Sequence, residues 1–429
     1  MIDSLANRSG SSPRVCHLAT TRFGGAGIAA ARLHDALHRV GVSSLFATYD
    51  RLSSPVGGYV SVGPEPRSLA HRLAARLRIA FTPQQRWDSR LQSLELNGVF
   101  VSGPFGRRNL PRLPFVRAAE IVHLHWVAGL LAWETFFDEV RKPLVWTLHD
   151  MQPFMGIFHY AVDRDQAGER ARELNDRIQL RKTQLLRSLL PEQLTVITPS
   201  RWLHQLSLQS DVLGRFRHRV IPYGLDTSVF RPWPADVARE LLGLPAQGRL
   251  LLVVAERLDD YRKGLDLAIG ALARPSVLSG WSIVAAGSGC VQFPGREVYS
   301  VGTLSDPRLM ALLYSAVDLM LVPSREDNLP NVILESLCCG TPLVVTPAGG
   351  CPEPIVDGRD GVVSRHLSAD SLAEALQTAT ELAFDRELIA AAAKARYDQS
   401  VTAAAYLSLY RTLVAQPAAA DSDPMRLAP

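Results

Sequence analysis

Short apolar runs recur along the chain, each followed by a loop and then by residues with helical spacing. The first run, Val15-Cys16-His17-Leu18-Ala19, suits a buried strand. The loop Thr20 to Gly27 follows it, then an alanine-rich helix from Ile28 to Val40 that Gly41 closes. Ser44 to Thr48 is a second strand, and this β–loop–α–β order predicts a parallel, doubly wound sheet. Further strands are expected at Ile121 to Trp126, Pro143 to Asp150 and Leu194 to Thr198, with a helix from Trp202 to Gln209. The charged run Asp163 to Lys182 reads as one solvated helix, and Val220 to Asp226 closes this half.

Two proline-containing stretches, Arg231 to Pro234 and Leu244 to Gly248, bracket a short helix and read as linker. A second alternation then begins. Strands are expected at Leu250 to Val254, Trp281 to Ala286, Val298 to Val301, Val317 to Val322 and Thr341 to Thr346. Helices are expected at Lys263 to Leu272, Pro307 to Ser315, Ser371 to Ala383, Glu387 to Ala395 and Val401 to Ala415. The fold class is therefore α/β, with two similar halves but no short sequence repeat. Domain boundaries are placed at 12–230 and 231–399, with both chain ends, 1–12 and 417–429, expected to be disordered.

Composition narrows the class. The 429 residues are 47% hydrophobic and 21% charged, as in globular proteins. A net charge of +4 is too small to imply nucleic acid. Five cysteines without a C-x-x-C pair read as reduced thiols, which points to the cytoplasm. The N-terminal residues hold no apolar signal core, and no run approaches the ~18 apolar residues of a membrane-spanning helix. Over 65–90, Leu69, Leu73, Leu77 and Ala80 recur at helical spacing among Arg67, His71, Arg72, Arg76, Arg78, Arg86 and Arg90. Adhesion to an anionic membrane surface and an ordinary solvated helix fit this pattern equally.

Candidate chemistry gathers where strands end. Pro323 to Leu337 joins a strand to a helix through a loop that Asn328 and Pro330 keep from being helical. It carries Glu326, Asp327 and Glu335 at the C-terminal mouth of the strand, where open α/β sheets bind ligands. Arg257, Arg262 and Lys263 follow the first strand of the second half and suit a diphosphate leaving group. Gly25-Ala26-Gly27-Ile28-Ala29-Ala30 fits G-x-G-x-x-A, with Asp50 near the position of a ribose-binding acid. Thr20 to Phe23 widen that loop beyond the dinucleotide fingerprint, which favours phosphate contact at a helix N-terminus over nicotinamide binding. His123 and His125 share one strand face, as core or site-lining histidines rather than metal ligands, since no third ligand lies near them in sequence.

The chain from Val15 to Leu413 resembles the family 4 (group 1) glycosyltransferases, retaining enzymes of the GT-B fold. Asp327 and Glu335, with Cys339-Gly340-Thr341-Pro342-Leu343-Val344-Val345 behind them, look like the family's E-x7-E segment and following strand. Val145 to Met151, Thr198 to Trp202 and Ile221 to Asp226 are similar to the subgroup that builds exopolysaccharides such as colanic acid. The resemblance implies two Rossmann-like domains facing a cleft, with a last helix over 400–416 returning to the first. It implies a nucleotide-sugar donor, with a UDP- or GDP-sugar expected, held mostly by the second domain. It further implies a lipid-linked glycan acceptor held mostly by the first domain and no metal, and no cofactor is expected. Peripheral contact with the cytoplasmic face of the inner membrane is the expectation attached to one of the two readings of 65–90.

By matched position, the resemblance sets Asp327 and His149 beside the reacting sugar, Lys263 and Arg257 on the diphosphate, and Glu335 on the ribose. Asn328, Leu329, Pro330 and Asn331 form the donor loop, Arg262 shares the phosphate, and Gly25, Ala26 and Gly27 form the glycine loop of the first domain. Tyr223 stands where asparagine is usual, and no cysteine-rich segment follows His149-Asp150. The competing expectations are a phosphorylase or nucleotide-sugar hydrolase on the same fold, a catalytically silent nucleotide-sugar-binding subunit, and an NAD-dependent dehydrogenase.

Overall fold

The computed structural model describes residues 12–52, 57–63, 83–94, 96, 98–106 and 108–415. The expected disordered ends, apart from residue 12, and residues 65–82 of the expected basic helix lie outside the described residues. Pro83–Gln92 is helical.

Seven parallel strands build the first sheet. They are β1 (Arg14–Leu18), β2 (Ser43–Thr48), β3 (Tyr59–Ser61), β4 (Ile121–Leu124), β5 (Leu144–Thr147), β6 (Leu194–Thr198) and β7 (Arg217–Val220), in the order β3-β2-β1-β4-β5-β6-β7. The second sheet has six: β8 (Arg249–Arg257), β9 (Trp281–Ser288), β10 (Val298–Gly302), β11 (Leu319–Val322), β12 (Leu343–Val345) and β13 (Gly361–Val363), in the order β10-β9-β8-β11-β12-β13. Both orders reverse direction beside the sheet's first strand, at β1–β4 and at β8–β11, the switch points where such sheets take ligands. Every residue of β4, β5, β6, β11 and β12 is buried, which explains their unbroken apolar or small-polar runs.

Three strands escaped the hydrophobic pattern. β3 and β13 are three residues long at sheet edges. β7 is an edge strand of sequence RHRV with no buried residue, so no apolar alternation marks it. The single solvated helix expected over Asp163–Lys182 is corrected to two helices, Ala161–Gln166 and Glu169–Leu185, broken at Ala167-Gly168. Lys182 is not solvated. It is fully buried over the Trp133 ring and donates to the Met155 carbonyl at 2.9 Å. The helix expected from Lys263 begins as a 3-10 turn, Tyr261–Lys263, and becomes α-helical at Leu265.

The last helix, Gln399–Ala415, returns to the first sheet. Tyr406, Leu409, Tyr410 and Leu413 are buried there with Val15, Leu37, Ile121, Val145 and Ile197. Four such side chains contribute about 2 kcal/mol each, enough to hold the crossing. Two of them are also anchored by polar contacts, Tyr410 to His123 at 2.6 Å and Tyr406 to Thr147 at 2.7 Å.

Candidate active site

The donor loop owes its path to close backbone approach. Gly264 has φ +66, and a Cβ there would lie 2.0 Å from the Pro323 carbonyl oxygen. The Arg325 amide donates to the Arg262 carbonyl at 2.8 Å, so the turn after β8 and the loop after β11 are laced together. On the far side, the Gly350 amide donates to the Asp327 carbonyl at 2.9 Å. Gly349, at φ +60, packs so closely that a Cβ would lie 1.9 Å from that carbonyl oxygen. Asp327 is thereby clamped between two turns.

Its side chain is the electrostatic centre of the site. Lys263 Nζ donates to Asp327 Oδ2 at 2.5 Å, and Arg262 Nη1 lies 3.2 Å from the same oxygen. The Asp327 amino-acid neighbour contributes too, through the Asn328 amide on Oδ1 at 3.0 Å. Burial pushes the Asp327 carboxyl up, but Lys263 and Arg262 outweigh burial and hold it at about 2. The carboxylate is therefore ionised at neutral pH. Arg262 stacks on Tyr160, whose hydroxyl donates to Asp327 Oδ1 at 3.4 Å.

Arg257 does not join this cluster. It is exposed and pairs with Asp259 on its own turn at 3.0 Å. The two residues that follow Tyr261, Arg262 and Lys263, reach Asp327 instead, because the 3-10 turn capped by Asp260 aims them inward. Glu326 also points away from Asp327, accepting the Val162 amide at 2.8 Å.

Asn328 links the domains. It accepts from Ser200 Oγ at 2.6 Å, and its Nδ2 donates to the His149 carbonyl at 3.1 Å. Leu329 is buried, and Pro330 is the N-cap of the helix Asn331–Cys338. That cap makes no side-chain bond; the Ile333 amide donates back to the Pro330 carbonyl at 3.1 Å, and helix N-termini of this kind favour anions. Asn331 Nδ2 donates to the Gly25 carbonyl at 2.9 Å, which sets the glycine loop opposite this helix N-terminus. Gly25, Ala26 and Gly27 lie in the first turn of the helix Gly24–Arg39. Asp50 is engaged beneath the loop, accepting the Arg22 amide at 2.6 Å and the Thr21 hydroxyl at 2.9 Å. It is thus a loop brace rather than a ribose acid.

Glu335 sits on the same helix one turn and more beyond Asn331. Tyr314 donates to its Oε2 at 2.7 Å, and Arg32 of the first domain donates to its Oε1 at 2.7 Å. His149 lies at the mouth of β5 with both ring nitrogens occupied, Nδ1 by Tyr223 at 2.8 Å and Nε2 by His125 at 3.3 Å. Burial depresses its pKa to about 4, against a smaller opposing pull from Asp150. His17, His123 and His125 come close enough for their nitrogens to lie within 4.8 Å of one another. Their contacts already account for this: His17 bonds His125 at 2.9 Å, and His123 bonds Tyr410 and Thr147.

Several functional neighbours were missed by sequence reasoning. Arg32 and Tyr314 carry no local signal. Glu353, whose carboxylate accepts the Arg201 and Trp202 amides across the domain boundary, carries none either. Ser200 is marked only within the Thr198 to Trp202 segment, where its N-cap position signals a helix start rather than a contact with Asn328. Gly349-Gly350 could have been found, because a glycine pair at the mouth of a predicted strand marks close backbone approach.

Residues 249–381 match the sequence profile of the family described as "Glycosyl transferases group 1". The chain is 27% identical over 314 residues to the D-inositol 3-phosphate glycosyltransferase of Streptosporangium roseum, covering 68% of this chain and 69% of that protein. Among solved structures, sucrose-phosphate synthase from Thermosynechococcus elongatus superposes with a TM-score of 0.67 at 20% identity, covering 94% of this chain and 99% of that one. Anabaena HepE in complex with UDP and glucose superposes with a TM-score of 0.64 at 17% identity, covering 93% and 100%. No helix among the described residues is long and apolar enough to cross a membrane. The second domain thus carries the group 1 glycosyltransferase profile, and the two-domain fold over both halves is that of GT-B glycosyltransferases.

Proposed function

We propose that the protein transfers a sugar, with retention, from a UDP- or GDP-sugar to a hydroxyl of a lipid-linked glycan during synthesis of an exopolysaccharide or other cell-surface polysaccharide. The observation that carries the donor half is the pair of cations on Asp327, Lys263 at 2.5 Å and Arg262 at 3.2 Å, beside an uncapped helix N-terminus. A diphosphate entering there meets two cations and free N–H groups, and its charge grows as the sugar leaves. The incoming phosphate draws Lys263 from Asp327, which leaves an ionised carboxylate next to the developing positive charge on the sugar.

A carboxylate nucleophile is one route to retention. We favour front-face attack, in which the C–O bond to the diphosphate breaks, the acceptor oxygen bonds the same face, and the departing phosphate oxygen takes the acceptor proton. Asp327 then orients and stabilises. His149, with both nitrogens engaged, contributes shape rather than proton transfer. No cofactor or metal takes part in this scheme.

A second acceptor reading has its own support. The Streptosporangium relative is named for D-inositol 3-phosphate, so a phosphorylated polyol is the alternative acceptor class. Calorimetry across UDP-, GDP- and ADP-sugars, followed by turnover with lipid-linked glycan and with inositol phosphate, tests the proposal. Binding of one nucleotide-sugar and its consumption with a glycan acceptor is expected. A bound donor that no acceptor consumes favours the silent subunit, and free sugar released without acceptor favours a hydrolase.

A further inference from the structure

Three histidines and a tyrosine form one continuous hydrogen-bond chain under the cleft. His17 Nδ1 meets His125 Nε2 at 2.9 Å, His125 Nδ1 meets His149 Nε2 at 3.3 Å, and His149 Nδ1 meets the Tyr223 hydroxyl at 2.8 Å. All three rings are buried, and the Tyr223 ring stacks on His149 at 5.5 Å with an interplanar angle of 14°. Strand register makes the chain possible. Parallel pairing sets His17 of β1 directly against His123 of β4, so His125 projects past the end of β1 toward the mouth of β5.

A neutral imidazole has one N–H and one lone pair, so the direction of any bond in the chain fixes all the others. The far end decides the direction. His17 Nε2 is buried without a partner among the described residues. An orphaned N–H there costs more than an orphaned lone pair. His17 therefore carries its proton on Nδ1 and donates to His125, His125 donates from Nδ1 to His149, and His149 donates from Nδ1 to Tyr223. The Tyr223 proton is left facing a cavity of about 10 Å³ lined in part by Thr147, Thr402 and Tyr406, about the room one water needs. Burial depresses the pKa of each histidine, which keeps the chain uncharged at neutral pH.

We propose that Tyr223, His125 and His17 are positioning residues that lock His149 in its Nδ1–H tautomer and fix the ring face it presents to the donor sugar. The functional clause rests on the placement of His149 beside that sugar, while the tautomer lock stands on geometry alone.

The full chain, labelled with 15N-histidine, reports the tautomer of each ring in a long-range 1H–15N spectrum at pH 7.5. His17, His125 and His149 are assigned by single replacement with glutamine. All three are expected as Nδ1–H. In Tyr223→Phe, His149 loses its acceptor, and a mixture of tautomers is expected. A wild-type His149 protonated on Nε2, or a spectrum unchanged in Tyr223→Phe, overturns the lock. UDP-glucose turnover supplies the functional arm: about a tenfold fall in kcat with KM within twofold is expected for Tyr223→Phe, and for His125→Leu but not His125→Gln, whose amide can still donate. Full turnover in Tyr223→Phe with a mixed tautomer overturns the functional clause. Undiminished turnover in His149→Ala removes the placement of His149 at the sugar and leaves the lock standing.

Discussion

Arg32 of the first domain holds Glu335 of the second, its Nη2 donating to Oε1 at 2.7 Å, although 303 residues separate them in the chain. Both side chains are largely buried, Arg32 lies over the Phe230 ring, and Tyr314 takes the other carboxylate oxygen. Glu335 is the acid that the resemblance sets on the donor ribose. The two oxygens that would receive ribose hydroxyls are thus both taken. The enclosed space at the mouths of β8 and β11, lined by Lys263, Pro323, Pro330 and Val332 among others, is about 20 Å³. A ligand pocket needs several hundred. A nucleotide bound at Glu335 as proposed must displace Arg32.

Arg32→Ala frees Glu335 from that competition. UDP is expected to bind about three- to tenfold more tightly by calorimetry. Glu335→Ala is expected to bind it at least tenfold more weakly. Weaker UDP binding in Arg32→Ala would instead make Arg32 a ligand of the nucleotide.

Lys263→Ala and Arg262→Ala remove cations from Asp327 and from the expected diphosphate site. Each is expected to lower transfer at least 100-fold, about 2.7 kcal/mol of transition-state stabilisation. Arg257→Ala, on an exposed turn with Asp259, is expected to cost no more than a few fold. Steady-state rates of the three purified variants decide between the two arginines, with melting temperature as the check on folding.

Acid stability has two origins with the same sign. His17, His123, His125 and His149 are held neutral by burial, His149 at about 4, below the value near 6.5 of the unfolded chain. The unfolded state binds more protons below about pH 6.5, so their contribution is complete above that pH and is lost as pH falls, for His149 down to about 4. Asp327, held at about 2, contributes above about pH 4 and is lost as pH falls through 2. Urea unfolding at pH 7.5, 6 and 5 is expected to show falling stability over the first window. His125→Gln is expected to flatten that slope. A wild-type slope of zero between pH 6.5 and 5 contradicts the assignment.

Gly349→Ala drives a methyl group into the Asp327 carbonyl at a backbone φ of +60. The donor loop must shift, so loss of UDP binding in calorimetry is expected together with a melting temperature lowered by several degrees. Gly280→Ala, also at positive φ but with open space around it, separates backbone strain from the clash: it is expected to leave UDP affinity unchanged.

The alternation of apolar runs and helical periods, by itself, determined two parallel α/β halves, the approximate place of most strands, and the loop–helix unit that carries Asp327 and Glu335. These are local matters: burial on both faces writes unbroken apolar strands such as Leu319–Val322, and Pro330 breaks helix wherever it stands. The edge strand Arg217–Val220 left no such mark, because none of its residues is fully buried. Only the tertiary structure decided that Arg262 rather than Arg257 faces Asp327, that Arg32 occupies Glu335, and that His17, His125, His149 and Tyr223 form one chain. Ionic and hydrogen-bond partners are chosen by the direction of side chains brought together from distant segments, and that direction depends on a turn's exact dihedral angles and on strand register. Neither quantity is written in residue type or spacing.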